Sequence, residues 1–284
     1  MTRRLTAVAL AALVLGALAP GAHAQLPGQT HDRRVLSDRG GISLGGFLID
    51  FRTDAAVGTE TLLGTRIRLE DDLNMDDDRS TVRLDGFYRF SARHSVEYSL
   101  VDLSRKGSAV IDEEIEFEGV TYEVGAAVDS KFDSRLLKLV YRFSFINDGK
   151  VDAGISAGLS TFSFDLELAG IGTIDDGTNG TTEGFVREDA ALIAPIPVFG
   201  LFVSYAITPR FVFRADASFF GIEFGDYEAR LVDGRALVDY FFTEHFGIGG
   251  GFNATSVDVQ RRGDQPFSVD YRFSGLLAYL AFVW

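Results

Sequence analysis

The sequence contains no cysteine among its 284 residues, so disulfide bonds cannot hold the fold together. Proline is scarce as well, with 6 residues against 31 glycines and 25 phenylalanines. A chain of this length either buries one large core or closes one sheet on itself. Because a closed sheet has no unpaired edges, it suits a chain that is rich in glycine and phenylalanine and poor in proline.

Basic residues are missing where acidic residues concentrate. The formal charge is −14, and two segments carry most of it. Residues 53–78 contain eight acids and two arginines, and residues 107–130 contain seven acids and no base. Nucleic-acid binding requires a basic surface, so we expect no nucleic-acid partner. Both acidic segments are predicted to be loops.

The first 24 residues have the features of a secretory signal peptide. Arg3 and Arg4 form its charged region, and Leu5 to Leu18 is an apolar core too short to span a bilayer. Ala22-His23-Ala24 supplies the small-residue cleavage site, and the alternative is an uncleaved membrane anchor. Cleavage would leave a secreted chain that begins at Gln25, with a formal charge of −16 because two arginines are lost.

Residues 81–103 alternate between apolar and polar side chains, which is the period of a strand with two different faces. Ser91 to His94 interrupts the alternation as a tight turn, so the segment predicts a hairpin. A soluble β-sandwich alternates in the same way. Aromatic residues near the strand ends, and turns that alternate between short and long, favour a membrane barrel. The apolar face before the turn consists of Val82, Leu84, Gly86, Tyr88 and Phe90.

Extending this pattern along the chain predicts an all-β fold, a closed antiparallel transmembrane barrel of about ten strands. Each strand is long enough for a tilted membrane crossing, which needs about 9–11 residues. An eight-stranded barrel with one hairpin outside is the alternative, and residues 115–125 look like a small extra hairpin above the membrane. The predicted strands are Ile42–Arg52, Arg79–Phe90, His94–Arg105, Lys131–Ile146, Val151–Leu168, Ala190–Ile207, Arg210–Glu223, Tyr227–Phe242, Phe246–Gln260 and Phe267–Trp284.

One of these segments also has the composition of a membrane helix. Residues 190–209 contain no charged side chain. However, Pro195 and Pro197 lie inside the stretch, and each proline in a helix interior costs about 3 kcal/mol. We therefore predict a strand, with the two prolines at a bulge or bend near its extracellular end.

The last twelve residues carry the most specific signal. Leu276, Ala278, Leu280, Phe282 and Trp284 fall on one face of a strand, and the chain ends on the aromatic residue. This segment resembles the closing strand of bacterial outer-membrane β-barrels. In those proteins the corresponding residues, here Leu280, Phe282 and Trp284, form the signal read by the barrel-assembly machinery.

The hairpin RLDGFYRF-SARHSVEYSLVDLSRKG is similar to one found in uncharacterised proteobacterial outer-membrane proteins, and the architecture resembles the small OmpA-like and OmpW-like barrels. The resemblance implies secretion to the outer membrane of a Gram-negative bacterium, with signal-peptide cleavage, among membrane lipids and lipopolysaccharide. It implies no activity. The predicted division is a signal peptide at 1–24, a periplasmic segment at 25–40 and a barrel at 41–284, with short periplasmic turns and longer acidic extracellular loops.

If the apolar face of each strand meets lipid, the other face lines the lumen. Alternation then assigns six basic and five acidic residues to the lumen. An ion-selective pore would carry an excess of one sign, whereas a nearly balanced set indicates ion pairs between buried charges. The predicted lumen charges are Arg83, Asp85, Arg89, Glu97, Lys138, Arg142, Asp152, Arg214, Asp216, Arg235 and Asp239.

Two functions remain open at this point. The first is a structural or surface-interaction barrel whose lumen is largely closed by charge pairs. The alternative is a narrow, porin-like passive channel for small solutes, through the lumen or through a lateral opening between strands. Pairing of Arg83, Asp85, Arg214 and Asp216 across the lumen would favour the closed barrel. Inward glycines and serines, in contrast, could leave a gap.

Catalysis is not expected. The secreted chain retains three histidines, of which His31 lies in the N-terminal segment and His94 and His245 lie at predicted periplasmic turns. No Ser/His/Asp set can therefore form at the outer rim, and there is no cysteine nucleophile. We predict no enzymatic activity and no cofactor.

The first acidic segment partly matches a calcium-binding loop. Asp72, Asn74 and Asp76 occupy the first three ligand positions of an EF-hand, but Asp77 and Arg83 stand where that motif needs Gly and Glu. An EF-hand is therefore excluded. A looser divalent-cation site formed by the first three residues is one interpretation, and a solvated acidic loop is the other.

Overall fold

The computed structural model describes residues 36–57, 65–175, 181–262 and 267–284. The regular structure in these ranges consists of β-strands, and none of it is a helix long and apolar enough to cross a membrane. The strands are β1 (Gly40–Val57), β2 (Ile67–Arg68), β3 (Asp78–Ser91), β4 (His94–Val110), β5 (Ile115–Phe117), β6 (Val120–Tyr122), β7 (Ala127–Asn147), β8 (Val151–Asp175), β9 (Thr181–Ala206), β10 (Phe211–Phe224), β11 (Tyr227–Phe241), β12 (Phe246–Arg261) and β13 (Phe267–Val283).

Ten of these strands form one closed antiparallel ring, in the order β1, β3, β4, β7, β8, β9, β10, β11, β12 and β13. The ring closes where β1 pairs with β13, from Gly41 opposite Val283 to Val57 opposite Phe267. The predicted ten-stranded barrel is confirmed, and the eight-stranded alternative is wrong. The remaining strands lie outside the ring: β2 pairs with β1, and the β5–β6 hairpin, which was predicted, pairs with β8.

Connections at one end of the ring are short, and the other end carries the two longest ones, residues 58–77 and 111–126. The short turns lie at residues 92–93, 148–150, 207–210 and 242–245. Both ends of the described ring meet there too, since the Gly40 amide donates to the carbonyl oxygen of Trp284 over 3.1 Å. Outer-membrane barrels place short turns in the periplasm and long loops outside the cell. The two ends are called the short-turn end and the long-loop end below.

The outer surface is apolar over a limited height. On β7 the outward residues from Phe145 to Leu137 are apolar, and all of them except the half-buried Phe143 are at least 40% exposed. This run of nine residues matches the length of a tilted membrane crossing, about 9–11 residues. Beyond it the outward residues are Arg135, Asp133 and Lys131. The exposed apolar band is therefore the lipid-facing surface, and the strands continue past it toward the long-loop end.

Polarity inside the barrel changes at the same height, in the opposite sense. On β8 the inward residues are Asp152, glycine and serine alongside the band, and they become Phe162, Phe164 and Leu166 where the outward residues turn polar. A wall that faces lipid carries its polar side chains inside, whereas a wall that faces water carries its apolar side chains inside. The long-loop half thus has an apolar core, and the membrane half has a polar interior.

Aromatic side chains border the band at the short-turn end. The rings of Phe90 and His94 stack with their centroids 5.9 Å apart, and Phe246 and Phe282 lie 4.9 Å apart. Trp284 stacks on Phe282 at 5.8 Å. Such rings favour the interface between lipid and water.

The stretch that resembled a membrane helix is a strand, but its prolines differ from the prediction. Pro195 and Pro197 lie within β9, opposite Thr161 and Leu159 of β8, and the ladder shows no bulge there. β9 pairs with β10 only from Phe199 onward. The proline nitrogens, which cannot donate a hydrogen bond, therefore cost no ladder bond when they face this unpaired edge.

The predicted signal peptide, cleavage site and most of the predicted N-terminal segment lie outside the described residues, as does His31. The described part of the N-terminal segment begins at Leu36, which is buried at the short-turn end. These divisions of the chain stay predictions.

Candidate functional site

The polar interior of the membrane half is the most distinctive group of side chains in the molecule. It contains the eleven predicted lumen charges, and each of them takes part in an ion pair. A twelfth charge, Asp233, belongs to the same layer and accepts a bond from Lys138 Nζ at 2.7 Å. The layer therefore holds six bases and six acids, with a formal charge of zero.

Arg235 on β11 connects the largest number of acids. Its Nη1 lies 3.0 Å from Asp85 Oδ1, its Nη2 lies 2.8 Å from Asp216 Oδ1, and Nη2 also pairs with Glu97. Glu97 is on β4, five places from β11 around the ring of ten, so this ion pair spans the full lumen. Arg235 is buried, and three carboxylates surround its guanidinium.

Other ion pairs in the layer span fewer strands of the ring. Lys138 on β7 reaches Asp233 on β11, four strands away, and Arg89 Nη2 on β3 lies 2.6 Å from Asp152 Oδ2 on β8. Asn253 supports both sides of the layer, since its Nδ2 donates to Asp233 and its Oδ1 accepts from Arg83 Nη1 at 2.6 Å. The buried charges are therefore linked by polar side chains as well as by direct pairs, as buried ions require.

The four residues singled out from the sequence have different partners from those expected. Arg83 pairs with Asp85 on its own strand, with 2.9 Å between Nε and Oδ2. Arg214 Nε pairs with Asp239 Oδ2 at 2.7 Å on the neighbouring strand, and Asp216 pairs with Arg235. Of the four, Asp85 takes part in a pair that crosses the lumen, with Arg235, and Lys138 makes another crossing contact with Asp233.

Aromatic side chains occupy the next layer toward the long-loop end. Phe164 on β8 and Tyr271 on β13 lie five places apart in the ring, yet their ring centroids are 5.1 Å apart. Tyr271 also hydrogen-bonds Ser134 of β7 over 3.0 Å and lies 6.1 Å from Phe51. Phe132 adds contacts of 5.9 Å to Phe164 and 6.0 Å to Tyr271. At this height the side chains of opposite walls meet.

A single buried arginine lies above the aromatic layer. Arg105 is fully buried, and its guanidinium carbon lies 4.4 Å from the ring centroid of Phe51 and 5.2 Å from that of Phe132. Its Nη1 donates to Glu70 Oε1 at 2.7 Å and its Nη2 to Thr53 Oγ1 at 2.7 Å. The acidic segment before β3 therefore sends Glu70 into the barrel as the partner of this cation.

That acidic segment is not simply a solvated loop. Leu69, Leu73 and Met75 are buried in the core of the long-loop half. The backbone of Leu73 passes so close to Gly107 on β4 that an added Cβ there would overlap the Leu73 carbonyl oxygen. Residues 67–77 thus fill the wall beside β1 and β4 above the membrane.

Two voids inside the barrel are lined by residues that the structure describes. The larger, about 80 Å³, lies in the short-turn half and is bordered by Leu36, Ser43, Arg142 and Arg214. It has room for several water molecules, since one needs about 10–15 Å³. The smaller, about 10 Å³, lies in the aromatic layer beside Tyr271 and holds at most one water.

Inward glycines make room for larger neighbours instead of leaving a gap. A Cβ added at Gly249 would overlap the ring of Tyr279 and the carboxylate of Asp239. A Cβ added at Gly154 would approach the ring of Phe202, on which Arg142 stacks with its guanidinium carbon 3.9 Å from the ring centroid. These glycines accommodate the charge layer.

The three residues of the predicted metal site have separate partners. Asp72 Oδ1 accepts from Arg68 Nη2 at 2.6 Å, Asn74 Nδ2 donates to the carbonyl oxygen of Ser108 at 3.4 Å, and Asp76 Oδ2 pairs with an arginine at 3.0 Å. In the part of the chain that the structure describes, no three acidic or histidine side chains form a group suited to a metal ion. Cation binding at this loop stays a prediction.

The two described histidines lie at the short-turn end. His94 contacts the hydroxyl of Tyr141, and His245 Nδ1 lies 2.9 Å from the carbonyl oxygen of Val283. Neither is near the long-loop rim. The predicted absence of enzymatic activity stays a prediction.

Sequence reasoning missed Asp233 and Arg105, although the signal for both was present. Asp233 lies two residues before Arg235, so it shares the inward face of β11. Arg105 lies eight residues after Glu97 on β4 and shares its face in the same way. Continuing the alternation to the end of each strand would have included both.

Known proteins resemble this chain in structure but not in sequence. No family model matches the chain, and no curated protein matches its sequence. The outer membrane protease OmpT from Escherichia coli is similar in structure, with a TM-score of 0.54 and 10% identity over 88% of this chain and 97% of that chain. OprG from Pseudomonas aeruginosa covers 87% and 97% of the two chains at 11% identity, with a TM-score of 0.37.

Ail of Yersinia pestis also matches, at 11% identity over 85% of this chain and 99% of that chain, with a TM-score of 0.29. At such identities the similarity concerns the fold alone, and among these three the OmpT score is the one above 0.5. Together with the closed ring and its apolar band, the similarity to OmpT shows that the chain has the fold of the outer-membrane β-barrels.

Proposed function

We propose that the protein is a non-conducting outer-membrane barrel with a structural or surface-interaction role. The contact between Phe164 and Tyr271 carries this proposal, because it joins opposite walls of the ring at a centroid distance of 5.1 Å. A hydrated path along the barrel axis would have to pass this point. The void beside it holds at most one water.

The charge layer supports the same function independently. Its six bases and six acids neutralise one another, so the lumen offers no excess charge that would attract one sign of ion. Arg235 and Glu97 join opposite walls within this layer as well. The proposal includes no catalysis, since His94 and His245 lie at the periplasmic turns.

Single-channel recording tests the proposal. We expect no conductance from the refolded mature protein in a planar bilayer, with insertion verified by a heat-dependent shift on gels. Arg83→Ala and Asp216→Ala should also stay silent, because the aromatic layer closes the lumen separately from the charges. Steady openings of the wild-type protein would overturn the proposal. Openings confined to the two variants would mean that the charge layer alone closes the lumen.

A narrow passive channel is the second candidate, and one observation favours it. β9 and β10 pair only between Phe199 opposite Phe219 and Ala206 opposite Val212. Beyond Phe199 the two strands separate near the outer boundary of the apolar band, and Ile193 and Ile222 are exposed beside the gap. Such a gap could admit small apolar solutes sideways from the membrane.

A reversible cross-link tests the second candidate. Continuing the register places residue 197 opposite residue 221, so Pro197→Cys with Gly221→Cys would join the strands across the gap. For a lateral channel we expect solute entry into vesicles to fall on oxidation and to return on reduction. Each single variant serves as the control. Entry that is absent, or unchanged by the cross-link, would exclude this route.

A further inference from the structure

The outward face of β1, β13 and β12 carries a row of hydrogen-bond donors just beyond the lipid-facing band. The apolar outward residues end at Leu48 on β1 and Leu276 on β13, which lie opposite each other and are 60% and 61% exposed. Four positions farther toward the long-loop end, Arg52 lies directly opposite Arg272. Ser256 of β12 continues the row on the other side of Arg272. These three neighbours supply two cations and a hydroxyl, with no carboxylate among them.

Arg52 is a cation without a partner. Like charges directly opposite each other destabilise a sheet, and Arg52 faces Arg272 in this way. Arg52 is exposed, and among the residues that the structure describes its side chain forms no ion pair and no hydrogen bond. The acids beside it on β1 are Asp50 and Asp54, and Asp54 pairs instead with Arg66 over 2.8 Å. Arg52 is therefore open to an anion from the surroundings.

Arg272 keeps donors for the same anion. It forms an ion pair with Asp270 on its own strand, yet its side chain is 37% exposed. A guanidinium has five donors in a planar fork, and one carboxylate occupies about two of them. This fork also matches the geometry of a phosphate group. Two adjacent forks and the hydroxyl of Ser256 therefore suit a phosphate, which offers at least three acceptor oxygens.

The height of the row matches the headgroup layer of the outer leaflet. Four residues of a strand rise about 13 Å, and a tilt of about 40° reduces this to about 10 Å above the last apolar residue. The headgroup layer on each side of a bilayer is about 5–8 Å thick. Arginine side chains are long enough to extend from the wall into that layer. A phosphate at this level therefore lies within reach of both arginines.

The same row continues into an apolar surface. Val232 of β11 lies opposite Ser256 and is 50% exposed. Phe219 of β10 lies opposite Val232 and is 58% exposed. An acyl chain can lie against these two side chains while the phosphate of the same lipid contacts the donors. A free phosphate ion would leave this apolar surface unused.

We propose that Arg52, Arg272 and Ser256 bind a phosphate group of lipopolysaccharide in the outer leaflet. The long-loop end of such barrels faces the outside of the cell, where lipopolysaccharide is the phosphorylated lipid. The site lies on the outer wall of the barrel, so it goes beyond the proposed closed lumen and does not depend on whether the lumen conducts.

Binding of lipid A, the phosphorylated membrane anchor of lipopolysaccharide, gives the first test. The refolded mature protein in a phosphate-free maltoside detergent is titrated with lipid A by microscale thermophoresis. Arg52→Gln and Arg272→Gln should each weaken binding about tenfold, because each removes charge-assisted hydrogen bonds. Lipid A stripped of its phosphates should bind wild type and variants equally. Equal binding of intact lipid A by wild type and both variants would overturn the inference.

Arg135→Gln is the matched control. Arg135 lies two positions beyond the exposed Leu137 on β7, also at the boundary of the band. It is directly opposite Asp102, and the two pair over 2.6 Å. Its loss should leave lipid A binding unchanged, whereas weakening as large as in Arg52→Gln would reduce the site to general attraction by positive charge. Inorganic phosphate that competes at the same concentration as lipid A would contradict the assignment to a lipid.

Stability separates a binding site from a role in folding. In detergent without lipid A, Arg52→Gln should unfold at the same urea concentration as wild type or a higher one, because it removes one of two like charges. Added lipid A should stabilise wild type, since it binds the folded state, but not the double variant Arg52→Gln with Arg272→Gln. Variants that lose the same stability with and without lipid A would show that the arginines serve the fold, against the inference.

Discussion

Removal of Arg235 from the charge layer should destabilise the barrel more than any other single change of a lumen base. Its guanidinium contacts Asp85, Asp216 and Glu97. Two of these acids keep another base after the substitution Arg235→Met, namely Arg83 for Asp85 and Arg142 for Glu97. Asp216 keeps only the distant Lys138, with 4.0 Å between Nζ and Oδ2.

The loss of stability follows from the charge of Asp216, which stays buried. Breaking a buried ion pair by removing one partner typically costs about 3–5 kcal/mol, because the other charge stays buried without compensation. We expect about 3 kcal/mol for Arg235→Met, since two of the three acids remain paired. The double variant Arg235→Met with Asp216→Leu removes the orphaned acid and restores equal numbers of bases and acids. It should recover at least half of the lost stability.

Urea titration in lipid vesicles measures this free energy of unfolding. Trp284, the only tryptophan, lies at the aromatic border of the band and reports its transfer to water by fluorescence. Arg135→Met is the matched control, because its ion pair with Asp102 is 63% and 58% exposed and should contribute about 0.5 kcal/mol. A loss of stability in Arg235→Met that is no larger than in this control, or a double variant as unstable as the single one, would contradict this prediction.

Three further outcomes follow from contacts elsewhere. Glu70→Ala, which leaves Arg105 buried without its carboxylate, should cost about 3 kcal/mol and speed proteolysis of residues 65–77. Asp71→Ala, at a 73% exposed carboxylate, should change neither. Gly249→Ala should cost about 1–3 kcal/mol in urea titrations because its Cβ meets Tyr279, whereas Gly46→Ala has open space and should be neutral. The amides of Val151 and Lys150 donate to Asp148 and lower its pKa. Asp148→Ala should therefore cost about 1 kcal/mol at neutral pH, and the difference from wild type should vanish as pH falls from about 3.9 through the lowered pKa.

The ring and the inward face could be predicted because side chains that contact lipid have to be apolar. Within the membrane band the outward face requires an apolar residue at every second position, so the alternation of β3 assigned Arg83, Asp85 and Arg89 inward without knowledge of the fold. Closure of β1 on β13 followed from the even number of strands. The same parity rule covered Asp233 once it was applied to the whole of β11.

Pairing within the lumen could not be predicted in the same way. Whether Arg235 meets Glu97, five strands away, depends on the stagger of the ring and on side-chain length, and no local sequence pattern encodes either. The separation of β9 from β10 is also a property of the closed ring. Pro195 and Pro197 indicated an irregularity, but a bulge and an unpaired edge have the same proline signature.

The change of polarity along single strands explains why the two halves of the lumen differ. On β1 the outward residues pass from Leu44 and Leu48 to Asp50, while the inward residues pass from Ser43 to Phe51. Water outside the wall forces the apolar residues inward, and those residues then have to pack against one another. A barrel that conducts along its axis needs a polar inner face over its whole length. In this chain the inner face becomes apolar where the strands leave the membrane, and Phe164 and Tyr271 of opposite walls contact each other there, which is the packing that the proposed closed barrel requires.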